Sequence, residues 1–332
     1  MSSGPVRALV DGVLAGEVTA IARAISVLED GDPVAREVMK EIHPRASGGW
    51  IVGVTGPPGA GKSTLVDALT TSARAAGERV GILAVDPTSA FSGGAVLGDR
   101  IRMQRHTSDP DVFIRSMATR GNFGGLCRSA SDAADVLVAG GFDRIIMETV
   151  GVGQDEVEVV RAADTVLVVL VPGLGDDIQA IKAGLLEIAD VFVLNKADRD
   201  GVDRLEAEIS TMLGLAEGEA ARRRRPEILR TVATSAEGLE DLTAAIARHR
   251  ADAEASGSAE SRRRERSRWR LLDVVRERIV RWAAKEADGH GALDDAQEKV
   301  FRREMDPYEA AERILRAFAG MKRDGPGEEG RG

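Results

Sequence analysis

The segment Gly56 to Ser63, GPPGAGKS, constrains the fold of this chain more than any other feature. It matches the pattern G-x-x-x-x-G-K-[ST] and joins an apolar run typical of a buried strand, Ile51 to Thr55, to a helical run, Thr64 to Ala75. Glycines allow such a loop to wrap around phosphate oxygens, and the following helix presents its positive end to them. The pattern therefore predicts a phosphate-binding loop in an α/β protein rather than a simple glycine-rich turn.

Two residues of this loop are expected to act directly on a nucleoside triphosphate. Lys62 would place its charge between the β- and γ-phosphates, and the Ser63 hydroxyl would coordinate Mg²⁺. The residues predicted to contact the phosphates are Gly56, Pro57, Pro58, Gly59, Ala60, Gly61, Lys62, Ser63 and Thr64.

Short apolar runs alternate with helical segments through the middle of the chain. Fully apolar strands separated by helices are typical of a doubly wound, mostly parallel sheet that binds ligands at the carboxyl ends of its strands. The predicted strands are Ile51 to Thr55, Val80 to Val85, Arg144 to Met147, Val166 to Val171, Val191 to Leu194 and Ile228 to Ala233.

The periodicity also divides the chain along its length. A helical pattern runs from Val6 to about Ile42, and a polar segment without an apolar period, Ala251 to Arg266, indicates a junction before helical periodicity resumes at Trp269. The predicted regions are an N-terminal helical segment (1–46), a central nucleotide-binding domain (47–250), a C-terminal helical extension (251–325) and a disordered tail (326–332).

Composition excludes several classes of protein. With 45 basic and 54 acidic residues the formal net charge is −9, which argues against a general nucleic-acid or membrane-surface partner. Cys127 is the single cysteine, so an intrachain disulfide and a cysteine metal cage are excluded. Because no apolar signal core is evident, we expect a cytoplasmic protein. The arginine runs Arg222 to Arg225 and Arg262 to Arg264 are expected to be solvated helix faces, with docking of a partner as the alternative.

The tetrapeptide NKAD, Asn195 to Asp198, predicts guanine recognition. The carboxylate of Asp198 can accept hydrogen bonds from guanine N1–H and the 2-amino group, whereas adenine has an acceptor at N1 and no such amino group. Asn195 is expected to brace the loop and Lys196 to extend along the base. Backbone N–H groups at Ser235 and Ala236 are candidates to reach guanine O6, although a plain turn explains that segment equally well.

Further residues are candidates for metal binding and hydrolysis. Glu148 is expected to hold Mg²⁺ through water, and the Gly151 N–H to contact the γ-phosphate. Asp86 ends another strand and is a second metal candidate, with a turn-forming Asp-Pro as the alternative. Gln154 could orient the attacking water, but no residue stands out as a catalytic base, so slow hydrolysis is expected. Arginines that could stabilise transition-state charge are Arg100, Arg102 and Arg105, although surface arginines are usually solvated.

Six blocks, in order between about residues 50 and 240, resemble the MeaB/ArgK family of GTPases associated with methylmalonyl-CoA mutase. They are GPPGAGKS, VDPTSAFSGGAVLGDRIRM, RSMATRGNFGGL, ETVGVGQDE, VPGLGDDIQAIKAG and NKAD. The resemblance implies a P-loop G domain that binds GTP, GDP and Mg²⁺ and serves as chaperone to an adenosylcobalamin-dependent acyl-CoA mutase. It implies gating of cofactor loading, protection and reactivation, without direct binding of cobalamin to this chain.

The same resemblance assigns residues that the motifs alone do not. It implies that Asp99 belongs with Asp86 and Glu148 in the Mg²⁺ and switch region, and that the partner mutase stimulates hydrolysis. The residues implied to transmit the nucleotide state to the mutase are Asp176, Gln179 and Lys182. A homodimer through the C-terminal extension is also implied, with Ala310 to Phe318 as a candidate apolar stripe or, alternatively, a face packed on the central domain.

Two other functions share parts of this pattern. A kinase of the ArgK type would need an acceptor pocket and would not need Asp198 to select guanine. A GTPase metallochaperone would share the sheet, but such proteins usually carry metal-binding motifs rich in His or Cys. The single cysteine and four dispersed histidines of this chain argue against that class.

Overall fold

Seven strands form one sheet in which every neighbouring pair is parallel, in the order β3-β2-β4-β1-β5-β6-β7. The computed structural model describes residues 4–86, 104–118, 125–149, 162–173, 188–215, 225–289 and 292–321. The strands are β1 (Trp50–Thr55), β2 (Val80–Asp86), β3 (Val112–Ala118), β4 (Arg144–Thr149), β5 (Thr165–Leu170), β6 (Val191–Asn195) and β7 (Glu227–Thr231). The predicted α/β fold with a doubly wound parallel sheet is confirmed.

Strand β3 was not predicted, and its position at the edge of the sheet explains why. Arg115 and Ser116 interrupt its apolar run, as is common in a strand that is only partly covered. The Arg115 guanidinium donates to the Ser26 hydroxyl at 2.9 Å and pairs with the Glu29 carboxylate, so a helix from the N-terminal segment satisfies this charge. A polar residue in β3 therefore anchors a neighbouring element instead of facing water.

Ten α-helices are described, and they surround the sheet or follow it. Those of the first part of the chain are α1 (Gly4–Leu14), α2 (Val18–Glu29), α3 (Ala35–Ile42), α4 (Lys62–Ala75), α5 (Gly125–Ala139), α6 (Val202–Leu215) and α7 (Leu239–Ala255). The remaining helices are α8 (Ser258–Gly289), α9 (Ala292–Phe301) and α10 (Pro307–Met321). The segment 251–266, predicted as a junction, is helical on both sides of a turn at Ser256 and Gly257.

The chain contains two compact units, Met1–Arg266 and Ser267–Gly332. In the first unit, helices α4 and α7 pack on one face of the sheet through residues such as Val52, Val54 and Leu65. Helices α1, α2, α3 and α5 cover the other face beside β2 and β4, where Leu83 and Ile145 are fully buried. Helices on both faces bury the apolar side chains of the strands. This packing fixes α4, and the loop that precedes it, at the carboxyl end of β1.

The second unit has its own small apolar cluster, formed by Ala296, Met305 and Ala310. Asp306 Oδ1 accepts the backbone N–H groups of Tyr308 at 2.8 Å and Glu309 at 3.0 Å, which caps the start of α10. Ala310, from the candidate apolar stripe, is buried in this cluster. Among the side chains of this unit that the structure describes, the exposed large apolar ones are Trp269, Leu271, Leu272, Val275, Ile279, Val280, Phe301, Tyr308 and Leu315.

A buried hydrogen-bonded network lies at the amino ends of the strands, opposite the phosphate-binding loop. Trp50 Nε1 donates to Thr165 Oγ1 at 2.9 Å, and that hydroxyl contacts His249 Nδ1 at 2.8 Å. His249 Nε2 contacts Asp190 Oδ1 at 3.1 Å, and Arg262 donates to both oxygens of Asp190 at 2.7 and 2.9 Å. In the neutral tautomer of His249 whose Nε2–H donates to Asp190, Nδ1 accepts the Thr165 proton while the Thr165 oxygen accepts from Trp50.

All three residues of the run Arg262 to Arg264 are exposed, as expected for a solvated face, but two of them also contact other elements. Arg262 pairs with Asp190, and the Arg263 guanidinium lies 5.8 Å from the centre of the Trp50 ring. Arg264 is exposed and pairs with Glu260 on its own helix. In the other arginine run, residues 222–224 lie outside the described residues.

Replacing Asp190 with asparagine is expected to lower the free energy of unfolding at pH 7 by about 2 kcal/mol, because the carboxylate that pairs with His249 and with the exposed Arg262 loses its charge. Burial alone would raise the pKa of Asp190, but hydrogen bonds from His249 and Arg262 hold that pKa below its usual range. A carboxylate whose pKa is lower in the folded state than in the unfolded state stabilises the fold at a pH above its unfolded pKa of about 3.9. This stabilisation is lost as the pH falls through the pKa of the folded state. The deficit of the variant should therefore shrink below about pH 4.

Chemical denaturation of Asp190→Asn across this pH range measures the effect. Asp241→Asn serves as the control, since Asp241 is exposed on the helix that carries His249, and it should cost less than about 1 kcal/mol. Equal costs for the two variants at pH 7 would show that the network does not stabilise the fold.

Candidate functional site

The loop Gly56–Gly61 connects β1 to α4, and two of its glycines are required by close contacts. Gly56 has φ +138°, and a Cβ built there would lie 2.1 Å from the Val169 carbonyl oxygen of β5. Gly61 has φ +87°, and its Cβ would lie 2.4 Å from Asn195 Nδ2. A side chain at either position would push the loop away from the strands beside it.

Lys62 is the first residue of α4, and its side chain folds back over the loop. Its Nζ donates to the carbonyl oxygens of Gly56 at 2.7 Å and Pro57 at 3.1 Å, and the residue is 6% exposed. The positive charge is thereby held at the amino end of a helix, where the helix dipole also favours anions. The arrangement places the Lys62 ammonium beside the loop backbone, where a phosphate group could be bound.

Ser63 and Glu148 meet beside this lysine. The Ser63 hydroxyl donates to Glu148 Oε1 at 2.6 Å, and both residues are buried. Glu148 lies in β4, in register with Val54 of the adjacent β1, so the sheet itself brings the carboxylate to the start of α4. A hydroxyl and a carboxylate oxygen are hard donors of the kind that Mg²⁺ accepts alongside phosphate and water. Asp86 is the last residue of β2, which neighbours β4.

Asn195 connects three loops at the end of β6. Its Nδ2 donates to the Ala60 carbonyl at 2.8 Å, which ties β6 to the phosphate-binding loop. Its Oδ1 accepts from the Ala233 N–H at 3.1 Å and from the Thr231 hydroxyl at 3.3 Å, which ties β6 to the end of β7. One buried amide thus holds the NKAD segment in place against both neighbours.

Lys196 and Asp198 follow on the exposed side of the same loop. Lys196 adopts a left-handed backbone conformation, φ +56°, and its Nζ donates to the Gly59 carbonyl at 2.7 Å. Asp198 is exposed, and within the described ranges its carboxylate makes no hydrogen bond or ion pair. That carboxylate is therefore available to donors of a ligand.

A cleft of about 150 Å³ lies beside this carboxylate and reaches Gly61 at the end of the phosphate-binding loop. It is lined by Gly61, Thr64, Asn195, Lys196, Asp198, Arg199, Val232, Ala233 and Thr234. The last three residues were not predicted, and they precede Ser235 and Ala236, which lie further along the same turn and are not part of the lining. The pairing of β7 with β6 could have indicated them, since residues after the two strands must share one edge of the sheet.

Comparison with known proteins identifies the family. The family model described as methylmalonyl-CoA mutase-associated GTPase MeaB matches residues 21–288. The chain belongs to the MeaB family.

Individual relatives match this MeaB-family chain over most of its length. A protein of Pyrococcus abyssi is 48% identical over 94% of this chain and 96% of its own length. The GTPase ArgK of Escherichia coli is 34% identical over 82% of this chain and 81% of its own length. Among solved structures, the crystal structure of an LAO/AO transport system kinase has the same fold, with a TM-score of 0.71 at 24% identity over 96% of this chain and 99% of that one.

Several residues predicted for this MeaB-family site lie outside the described residues, and their placement stays a prediction. They are Asp99, Arg100, Arg102, Gly151, Gln154, Asp176, Gln179 and Lys182. Within the described ranges, no group of three or more His, Cys, Asp or Glu side chains is placed to hold a metal ion. No described helix is long and apolar enough to cross a membrane.

Arg105, a candidate for stabilising transition-state charge, contacts the helix α4 instead. Its Nε donates to Asp67 Oδ1 at 2.8 Å, and a second nitrogen pairs with the other oxygen of the same carboxylate. His106 Nε2 also contacts Asp67 Oδ1, at 3.0 Å. Burial, and then the charge of Arg105, lower the pKa of His106. In the structure Arg105 therefore supports Asp67 one turn after Ser63.

Proposed function

We propose that this MeaB-family chain binds GTP and hydrolyses it to GDP and phosphate. One observation carries the proposal: a single cleft has the phosphate-binding loop at one end and the unpaired carboxylate of Asp198 at the other. Its lining suits the base end of one nucleotide, with the base near Asp198 and the phosphates over the loop beyond Gly61 and Thr64. The membership of the chain in a family of GTPases supports the same reaction.

Each described residue of the site has a distinct part in the proposed reaction. Lys62 binds the β- and γ-phosphates, and Ser63 and Glu148 are the residues that would hold Mg²⁺. When bound, that ion would supply neutralisation of charge on the phosphate oxygens. Asn195 keeps the base-binding loop at a fixed distance from the phosphate loop, because its side chain is bonded to Ala60 and to Ala233.

Four further residues complete the proposal for hydrolysis. Asp86 and Asp99 contribute to the metal and switch region, the Gly151 N–H contacts the γ-phosphate, and Gln154 orients the attacking water. Loss of the γ-phosphate removes the contacts of Gly151 and of the metal-binding acids, and this difference reports the nucleotide state. Hydrolysis is slow until a partner completes the site.

The proposed partner is an adenosylcobalamin-dependent acyl-CoA mutase, for which this chain gates cofactor loading, protection and reactivation. The family description associates MeaB with methylmalonyl-CoA mutase, and the sequence blocks quoted above support the same role. Asp176, Gln179 and Lys182 transmit the nucleotide state to the mutase. The chain binds no cobalamin itself and acts in the cytoplasm as a homodimer formed through the region 251–325.

GTP turnover with and without candidate mutases tests this proposal. A client mutase is expected to raise turnover by at least about tenfold, because a partner can complete a site that lacks its own catalytic base or arginine. In the same assay the Lys182→Ala variant should show the basal turnover without the increase. Serum albumin, added in place of the mutase, should leave the turnover unchanged. Unchanged turnover with every adenosylcobalamin-dependent mutase tried would contradict the chaperone role and favour the metallochaperone alternative.

A further inference from the structure

Arg199 follows Asp198 directly and lines the same cleft, yet no motif assigns it a function. The lining contains three charged side chains, and the ammonium of one of them, Lys196, already donates to the Gly59 carbonyl. The backbone N–H of Arg199 bonds to the Lys196 carbonyl at 3.0 Å. In the part of the chain that the structure describes, the guanidinium of Arg199 has no hydrogen-bond or ion-pair partner. An unused cation therefore lies at the base-binding end of the cleft.

Two arginines in the elements that follow this loop behave differently. Arg204 pairs with Glu208 at 2.8 Å, and Arg230 pairs with both Asp203 and Glu206. Arg199 has the carboxylate of Asp198 as its immediate neighbour in sequence and does not pair with it. Both groups thus remain available to a ligand, and the carboxylate is not neutralised before the ligand arrives.

The residues that line the cleft provide no aromatic ring to cover the face of a bound base, and the guanidinium of Arg199 could do so. None of the nine lining residues is aromatic, although a bound purine exposes two flat apolar faces that need to be covered. A guanidinium is planar and weakly hydrated, and it stacks on aromatic rings more effectively than an ammonium does. The Lys196 stem can cover part of a bound base, which leaves Arg199 as the planar group of the lining.

We infer that Arg199 stacks on a face of the bound purine and is a further nucleotide-binding residue of this site. The inference rests on the proposed function, because it requires a nucleotide in the cleft. Asp198 reads the edge of the base, whereas Arg199 binds its face, so the arginine adds affinity without reading the base edge. The phosphates do not take part in this contact.

Equilibrium titration of the full chain with GDP and with pyrophosphate, both with Mg²⁺, tests the inference. Arg199→Ala is expected to weaken GDP binding by about three- to thirtyfold, the range of cation–π contacts. Arg199→Lys should remain at least about threefold weaker than the wild type, because it restores charge but not a planar group. Pyrophosphate has no base, so its affinity should stay within about twofold in both variants. Arg204→Ala is the matched control and should bind GDP as the wild type does.

Three results would overturn the inference: GDP binding by Arg199→Ala within about twofold of the wild type, full recovery in Arg199→Lys, or an equal loss of pyrophosphate affinity. The last two would indicate general attraction of phosphate charge. The ratio of GDP to ADP affinity of the wild type, measured in the same titrations, reports on the guanine site independently. A ratio near one would contradict the proposed function, while the effect of Arg199→Ala could still be read on either nucleotide.

Discussion

Replacing Lys62 with alanine is expected to lower kcat/KM for GTP by at least about a hundredfold, because a preorganised charge on the transferred phosphate is lost. The structure gives this residue a second function, since its ammonium also bonds the carbonyl oxygens of Gly56 and Pro57 and so shapes the loop. Both effects act in the same direction. Release of phosphate from GTP at saturating Mg²⁺ measures the loss.

Lys40→Ala is a suitable control for that assay, because Lys40 is exposed on α3 and far in sequence from the loop. It should leave turnover unchanged, and both variants should retain the circular dichroism of the wild type. Wild-type turnover in the folded Lys62→Ala protein would refute the assignment of the phosphate-binding loop.

The substitution Asp198→Asn is expected to change the preferred base from guanine to xanthine. An asparagine oxygen can still accept from N1–H, but its amino group faces the 2-amino group of guanine, whereas xanthine has a carbonyl oxygen at that position. Loss of hydrogen bonds to a charged acceptor should weaken GTP binding by about a hundredfold. Binding of xanthosine triphosphate should become the tighter of the two.

Competition between the two triphosphates on wild-type and variant proteins measures this change. Asp200→Asn provides the matched control, because Asp200 is an exposed aspartate two residues downstream that does not line the cleft. It should keep the preference for GTP. An Asp198→Asn protein that still prefers GTP would show that another group reads the base.

Five of the six strands predicted from the sequence are buried on both faces, and the edge strand β7 is the exception. Val191–Asn195 is apolar throughout apart from its last residue, and hydrophobicity alone indicates such a strand. Strand β3 was not predicted because Arg115 and Ser116 interrupt its apolar run. Arg115 forms an ion pair with a carboxylate on α2 that is 86 residues away in sequence. The ion pair of the exposed Arg262 was not predicted for the same reason, since its partner Asp190 is 72 residues distant. Local periodicity carries no information about such distant ion pairs.

At the site, sequence motifs indicated the residues that a guanine nucleotide must contact directly through its phosphates or its base. The loop Gly56–Ser63 and the tetrapeptide ending at Asp198 have required spacings, and parallel pairing of the strands brings them to one cleft. Residues that contribute through position alone gave no such signal. Ala233 contacts Asn195 through its backbone N–H, and Arg199 is distinguished only by the absence of a partner among the described residues.

The most direct test of this account is a structure of the chain with GDP and Mg²⁺, in which two distances are measured from one nucleotide. The account predicts that Lys62 Nζ lies within about 3.2 Å of a β-phosphate oxygen while the Asp198 carboxylate lies within the same range of guanine N1 and the 2-amino group. Phosphates bound at Lys62 with the base directed away from Asp198 would contradict it.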